Sequence, residues 1–172
     1  MFEPMMPRAI APVIVAIEGG DPNFYARRGY AQVFLNVRGT GKSGGLFDHL
    51  GDGTIQDLYE AIEWLAKQPW CSGSVGMIGI SWGGFNGLQV AARRPPALKA
   101  VIAIAATVDR YNEDVHFMGG CLIADNMDWG GAFFAYAGLP PDPAMVGADW
   151  KQRWLERLEI LQPFPALWLE HQ

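Results

Sequence analysis

Gly79-Ile80-Ser81-Trp82-Gly83 is the stretch that decides how this chain is read. It follows the apolar run 75–80 (VGMIGI) and opens a small-residue segment, 82–93 (WGGFNGLQVAAR), that reads as a helix. Strand, then G-x-S-x-G, then helix is the context of a nucleophile elbow. That turn is so tight that its serine is held in a strained backbone conformation with the hydroxyl above the sheet. Strand and helix nearly touch there, so the positions two before and two after the serine are expected to lack side chains. Gly79 and Gly83 meet that demand, while Gly84 and Gly87 let the helix stay close to the sheet. The pentapeptide alone also fits an ordinary glycine-rich turn. Its flanking strand and helix make Ser81 the candidate nucleophile.

On the N-terminal side, 12–17 (PVIVAI) is a nearly unbroken β-branched run, as expected for a strand buried on both faces. Asp21-Pro22 then has the form of an N-cap with proline at the first helical position, and Gly29 closes the short helix that follows. A second strand is predicted over 30–37 (YAQVFLNV), and after it a loop over 38–53 that holds six glycines. Thr54 is read as the start of the clearest helix, with Asp57 as a weak capping box. Ile55, Leu58, Tyr59, Ile62 and Leu65 share one face of it, and Glu63 and Lys67 are spaced as an i,i+4 pair.

Beyond the elbow helix, Pro95-Pro96 is a hard stop and 98–105 (LKAVIAIA) a fourth strand. Alternating strands and helices predict an α/β fold, a mostly parallel sheet with crossover helices over residues 1–108. Residues 109–172 read as aromatic and helical with no further strand, with helices at 121–136 and 150–161 and a proline-rich hinge at 140–143. Trp150, Trp154, Leu158 and Leu161 form one stripe, read as helix-packing core rather than as a substrate pocket.

The 172 residues and 18.9 kDa suit one domain with a sizeable core. Half the residues are hydrophobic and the net charge is −5, so the chain reads as a globular protein with no nucleic-acid partner. The apolar run 100–108 is too short to span a membrane, and no signal peptide is evident. Cys71 and Cys121 form no redox or metal motif and read as free thiols, which makes the cytoplasm the expected location. No cofactor is expected, and His49, His116 and His171 lack metal-ligand spacing.

One rival motif is Asn36-Val37-Arg38-Gly39-Thr40-Gly41-Lys42-Ser43, which follows the second predicted strand and ends like a phosphate-binding loop. Asn36 stands where that pattern has its first glycine, and Gly44-Gly45 follow where a helix should open. Arg38 and Asp57 are taken as a structural ion pair across the loop's base. A serine nucleophile also needs a base and an acid to orient it, which follow an elbow serine in the order acid, then histidine. In this chain Asp109, just past the last predicted strand, and His116 are the in-chain candidates. Their spacing is too short for two different strand ends, and no strand carries His171.

Tyr25-Ala26-Arg27-Arg28-Gly29-Tyr30 and Val37-Arg38-Gly39-Thr40-Gly41-Lys42-Ser43-Gly44-Gly45 resemble the cocaine esterase / X-Pro dipeptidyl-peptidase family of α/β-hydrolases, the CocE/NonD-like acyl hydrolases. Gln56-Asp57-Leu58-Tyr59-Glu60-Ala61-Ile62-Glu63-Trp64-Leu65 and Gln68-Pro69-Trp70-Cys71-Ser72-Gly73 continue the likeness up to the elbow. It covers Tyr25 to about Asp109, and 150–172 is similar to that family's helical cap. The resemblance implies an α/β-hydrolase core followed by the start of a cap, and hydrolysis of a small ester or a peptide amide by a Ser-Asp-His triad. It also implies Ser81 as nucleophile and the Trp82 backbone N–H as one oxyanion donor. Glu18-Gly19-Gly20 stands where members carry the tyrosine that completes the oxyanion hole, and the family's acid and histidine follow the cap. The expectation is therefore a partial chain, inactive as it stands. The alternatives are a non-catalytic piece that associates through open sheet edges and phosphate binding at Gly39 to Ser43.

Overall fold

Two parallel strands joined by one helix form the framework around Ser81. The computed structural model describes residues 20–40, 43–45, 52–123, 126–161 and 166. They belong to two compact units. One comprises the described residues within Pro12–Phe34 and Asp48–Arg110, the other those within Leu35–Phe47 and Tyr111–Gln172. The strand expected over 12–17 lies outside the described residues.

The first unit opens with helix α1, Pro22–Ala26, whose N-cap Asp21 accepts from the Asn23 N–H at 2.9 Å. Pro22 supplies the fixed φ that suits a first helical position. Gly29, at φ 81°, reverses the chain, and the Tyr30 N–H reaches back to the Tyr25 carbonyl. Helix α2 is Asp52–Ala66. It begins two residues before the expected start, with Asp52 in its first turn where the helix dipole favours a carboxylate. Thr54 is buried within that turn instead of capping it.

Strand β1, Val75–Ile80, helix α3, Trp82–Ala92, and strand β2, Leu98–Ile104, complete the unit. The strands pair in parallel with Ile78 opposite Ile102 and Ile80 opposite Ile104. Strand periodicity puts Val75 and Met77 on one face, and a register shift between Val75 and Gly76 brings their partners Leu98 and Val101 to that face too, where they meet the helices. The core joins Ile55 and Ile62 of α2 to Val90 of α3 and to Ala97, with Leu58, Ala66, Val75, Met77 and Leu98 packed around them. Glu63, expected to pair with Lys67, instead accepts from the Ala97 N–H at 2.9 Å and so ties α2 to the start of β2. The other sheet face is apolar and open, with Ile78, Ile102 and Ile104 exposed.

Residues 30–37 are not a strand. They are non-helical backbone without a ladder, and Tyr30, Val33, Phe34 and Leu35 are exposed. β-propensity makes a strand only where neighbouring backbone supplies a ladder, and among the described residues none pairs with this run.

The second unit holds a hairpin where the sequence predicts no further strand. Strands β3, Phe117–Met118, and β4, Cys121–Leu122, pair antiparallel around Gly119 and Gly120, both at positive φ. A Gly-Gly pair supplies the two left-handed residues of a tight hairpin turn without steric cost. Helix α4 therefore starts at Asn126 rather than near Cys121, and runs to Ala137. A short helix α5, Pro143–Val146, leads through the 3-10 turn Gly147–Asp149 into α6, Trp150–Ile160. Trp150 and Trp154 stack at 6.3 Å, and the Trp154 Nε1 donates to the Gly138 carbonyl at 2.8 Å, but no residue of α6 is buried and Leu158 is exposed, so the stripe is not the packed core expected of it. No helix among the described residues is long and apolar enough to cross a membrane.

One position in the first unit carries a testable strain. Arg94, just past the C-cap of α3, sits at φ 54°. A side chain there crowds the following carbonyl, and glycine does not. Arg94→Gly is expected to stabilise the fold by about 0.5–1 kcal/mol, read as a higher urea midpoint. A lower midpoint would mean that the arginine side chain contributes more than its backbone costs.

Candidate active site

Ser81 is the single residue between β1 and α3. Its φ of 53° and ψ of −117° lie in a region that non-glycine residues rarely adopt, at a cost of about 1–3 kcal/mol that the surrounding structure must offset. Two backbone bonds help to hold it. The Ser81 N–H donates to the Ile104 carbonyl at 2.8 Å, and the Ser81 carbonyl accepts from the Phe85 N–H at 3.0 Å. Serine at a helix N-cap ordinarily turns its hydroxyl onto the first-turn N–H groups. Here the side chain makes no capping bond, and the residue is exposed. The hydroxyl is thus not spent on the helix.

The glycines around it do different jobs. A Cβ on Gly79 would drive into the Gly83 backbone, 2.7 Å from its Cα. A Cβ on Gly84 would lie 2.8 Å from the Ala106 Cβ and 3.0 Å from the Ile104 carbonyl oxygen, and one on Gly87 would meet Val101 Cγ1 at 2.9 Å. A Cβ on Gly83 would meet nothing within 4 Å among the described residues. Contact between strand and helix therefore excludes a side chain at Gly79, Gly84 and Gly87, but not at Gly83.

Trp82 is the first residue of α3, so its N–H is among the amides at the positive end of the helix. Asp109 follows β2, the neighbour of the strand that carries Ser81, and leaves the sheet at the same end because the strands are parallel. It is exposed, and its N–H donates to Thr107 Oγ1 at 3.1 Å. The next residue, Arg110, places its guanidinium carbon 4.3 Å from the centre of the Phe85 ring on the first turn of α3. His116 lies in the second unit, just before β3, where its carbonyl accepts from the Ile123 N–H. His49 and His171 lie outside the described residues. Among the described residues no group of three or more His, Cys, Asp or Glu is placed to hold a metal ion.

The described residues of the rival motif lie in the second unit, and Gly41 and Lys42 lie outside the described residues. Ser43 Oγ donates to the Asn36 carbonyl at 2.6 Å, and the Gly39 N–H to the Gly44 carbonyl at 2.8 Å. Residues 43–45 are not helical, whereas a phosphate loop opens a helix there. Arg157 of α6 reaches the Ser43 carbonyl at 3.5 Å, and burial together with neighbouring Arg153 holds its pKa below the usual guanidinium value.

Ala105 and Ala106 carry no reactive group, and the signal for them is indirect: they are two small residues just past β2, which ends at Ile104, and Ala106 faces Gly84.

The family model of the X-Pro dipeptidyl-peptidases (S15 family) matches residues 5–172. A protein of Streptomyces avermitilis named as an Xaa-Pro dipeptidyl-peptidase is 31% identical over 78% of this chain and 24% of its own length. The cocaine esterase of a Rhodococcus species is 35% identical over 57% of this chain and 17% of its own length. The crystal structure of a CocE/NonD family hydrolase from Staphylococcus aureus superposes with a TM-score of 0.52 at 30% identity, over 70% of this chain and 21% of that one. The chain thus spans about a quarter or less of the length of these relatives.

Proposed function

This chain belongs to the X-Pro dipeptidyl-peptidase (S15) family, and from that premise we propose that Ser81 is the nucleophile of a serine hydrolase acting on a small ester or a peptide amide. Ser81 Oγ attacks the substrate carbonyl as a base takes its proton, the alcohol or amine leaves with that proton, and water hydrolyses the acyl-enzyme to the carboxylic acid and free Ser81. The Trp82 N–H stabilises the oxyanion, a contribution whose loss costs about 2.7–4 kcal/mol of barrier in comparable sites. The observation that carries this reading is the backbone of Ser81 at φ 53° and ψ −117°, held between a strand and a helix with its hydroxyl off the cap. The names of the relatives, peptidase and esterase, support acyl transfer to water as the reaction class. Residues 1–108 are assigned to the hydrolase core and 109–172 to the start of a helical cap, which the acid and the histidine follow in the family's order.

Burst kinetics with a p-nitrophenyl ester test it in the protein as its gene encodes it. One equivalent of p-nitrophenolate per active site is expected in the first turnover, and none from Ser81→Ala. A burst of equal size in Ser81→Ala removes Ser81 from the role.

A second reading rests on the open sheet face. Exposed Ile78, Ile102 and Ile104 on a parallel pair favour a 172-residue piece that associates with further copies or with a complementing segment, since parallel sheets are stable with both faces covered. Sedimentation of the chain is expected to show association. A single monomeric species that unfolds cooperatively would count against it.

A further inference from the structure

β1 and β2 leave the sheet side by side, and both do so through a left-handed residue that is not glycine. Ser81 sits at φ 53° and Ala105 at φ 50°, each following one member of the pair Ile80–Ile104. Alanine does not favour that region, so the bend at Ala105 persists only where the surroundings enforce it. The chain that leaves this bend touches the first turn of α3 twice. Ala106 Cβ occupies the space that a side chain on Gly84 would need, and the Arg110 guanidinium lies over the Phe85 ring. The residue before the bend, Ile104, accepts the Ser81 N–H. Three contacts from residues 104–110 thus bracket 81–85.

We propose that the bend at Ala105–Ala106 is a positioning brace for the elbow, with the Ala106 methyl seated against Gly84 fixing where α3 begins and so where the Trp82 N–H lies. This rests on the reading of Ser81 as nucleophile. The brace acts through α3 and touches no reacting atom. Reaction depends steeply on such placement, because a misplacement of about 1 Å can cost on the order of 10²-fold. Arg110 closes the brace at its far end, where a guanidinium over an aromatic face is attracted by the ring's negative face.

The test is the rate at which a fluorophosphonate phosphonylates Ser81 with loss of fluoride, in the protein as its gene encodes it, resolved into kinact and KI. Gly84→Ala forces the methyl of Ala106 or the helix to shift. It is expected to lower kinact on the order of 10- to 100-fold, with KI nearly unchanged. Ala106→Gly in the same chain removes the nearest contact, leaving the Ile104 carbonyl oxygen at 3.0 Å, and is expected to restore part of that loss. Gly87→Ala is the structural control. It meets Val101 one turn further along α3 and is expected to lower the melting temperature without lowering kinact. If Gly84→Ala and Gly87→Ala change kinact alike, or if the double variant recovers nothing, the brace is overturned.

The amide resonance of Trp82 gives a readout independent of phosphonylation. It is expected to move in Gly84→Ala and in Ala106→Gly alone, and to return toward its original position in the double variant. An amide that stays put in both single variants overturns the brace even if every phosphonylation rate behaves as expected. Should the unaltered protein fail to label at Ser81, the nucleophile reading falls, and the Trp82 amide alone decides the brace.

Discussion

The 172-residue chain by itself is expected to hydrolyse p-nitrophenyl acetate no faster than its Ser81→Ala variant. A serine hydroxyl attacks slowly unless a base takes its proton and an acid orients that base. Losing members of such a set costs about 10⁴ to 10⁶ in turnover. Oxyanion stabilisation from the Trp82 N–H is too small to recover that loss. The in-chain pair weighed for the task is Asp109 and His116, seven residues apart on separate compact units. The chain spans 17–24% of the length of the peptidase, the cocaine esterase and the CocE/NonD hydrolase compared above. A longer form that carries an Asp and then a His after the cap is expected to hydrolyse the ester in a Ser81-dependent way. If the short chain matches the long one, and both lose activity in Ser81→Ala, the base lies within these residues. Asp109→Asn and His116→Gln then become the decisive substitutions.

The second large effect separates two glycines that sequence alone treats as equivalent. Gly79→Ala places a methyl inside the Gly83 backbone, and neither strand nor helix can yield without moving Ser81. Overpacking of this kind, with backbone on the far side, is expected to cost about 3 kcal/mol or more. Acylation of Ser81 is expected to be lost with it. Gly83→Ala, whose Cβ meets nothing within 4 Å among the described residues, is expected to be neutral or to stabilise by up to about 1 kcal/mol, because alanine suits a helix better than glycine. Chemical denaturation of the two variants measures the difference. Equal destabilisation would mean that helix and strand are closer at Gly83 than the structure places them.

What was legible in the sequence was what local chemistry decides. Asp21-Pro22 announced a capped helix, and the capping bond is there. The apolar run before Ser81 and the small residues after it placed β1 and α3 to within a residue. The segment 30–37 has the composition of a strand, yet composition cannot show whether a neighbouring backbone is present to pair with it. The hairpin at 117–122 was legible in principle, since Gly119-Gly120 between two short apolar pairs is a tight-turn signal. An expectation of an all-helical cap outweighed it. Glu63 illustrates a third kind of miss. Its helix offered Lys67 at i,i+4, but a surface pair contributes little, and the Ala97 N–H, 34 residues on, claims the carboxylate. At the candidate site, the strand–turn–helix around Ser81 and Trp82 was visible from the motif. The part proposed for Ala105 and Ala106 was not, because it rests on φ and on contact rather than on side-chain chemistry.

The most direct measurement is to treat the protein, as its gene encodes it, with a fluorophosphonate and map the adduct by mass spectrometry. The account predicts one phosphonyl group per chain, on the peptide that contains Ser81, with none in Ser81→Ala. Labelling at another serine, or labelling that survives Ser81→Ala, would contradict it.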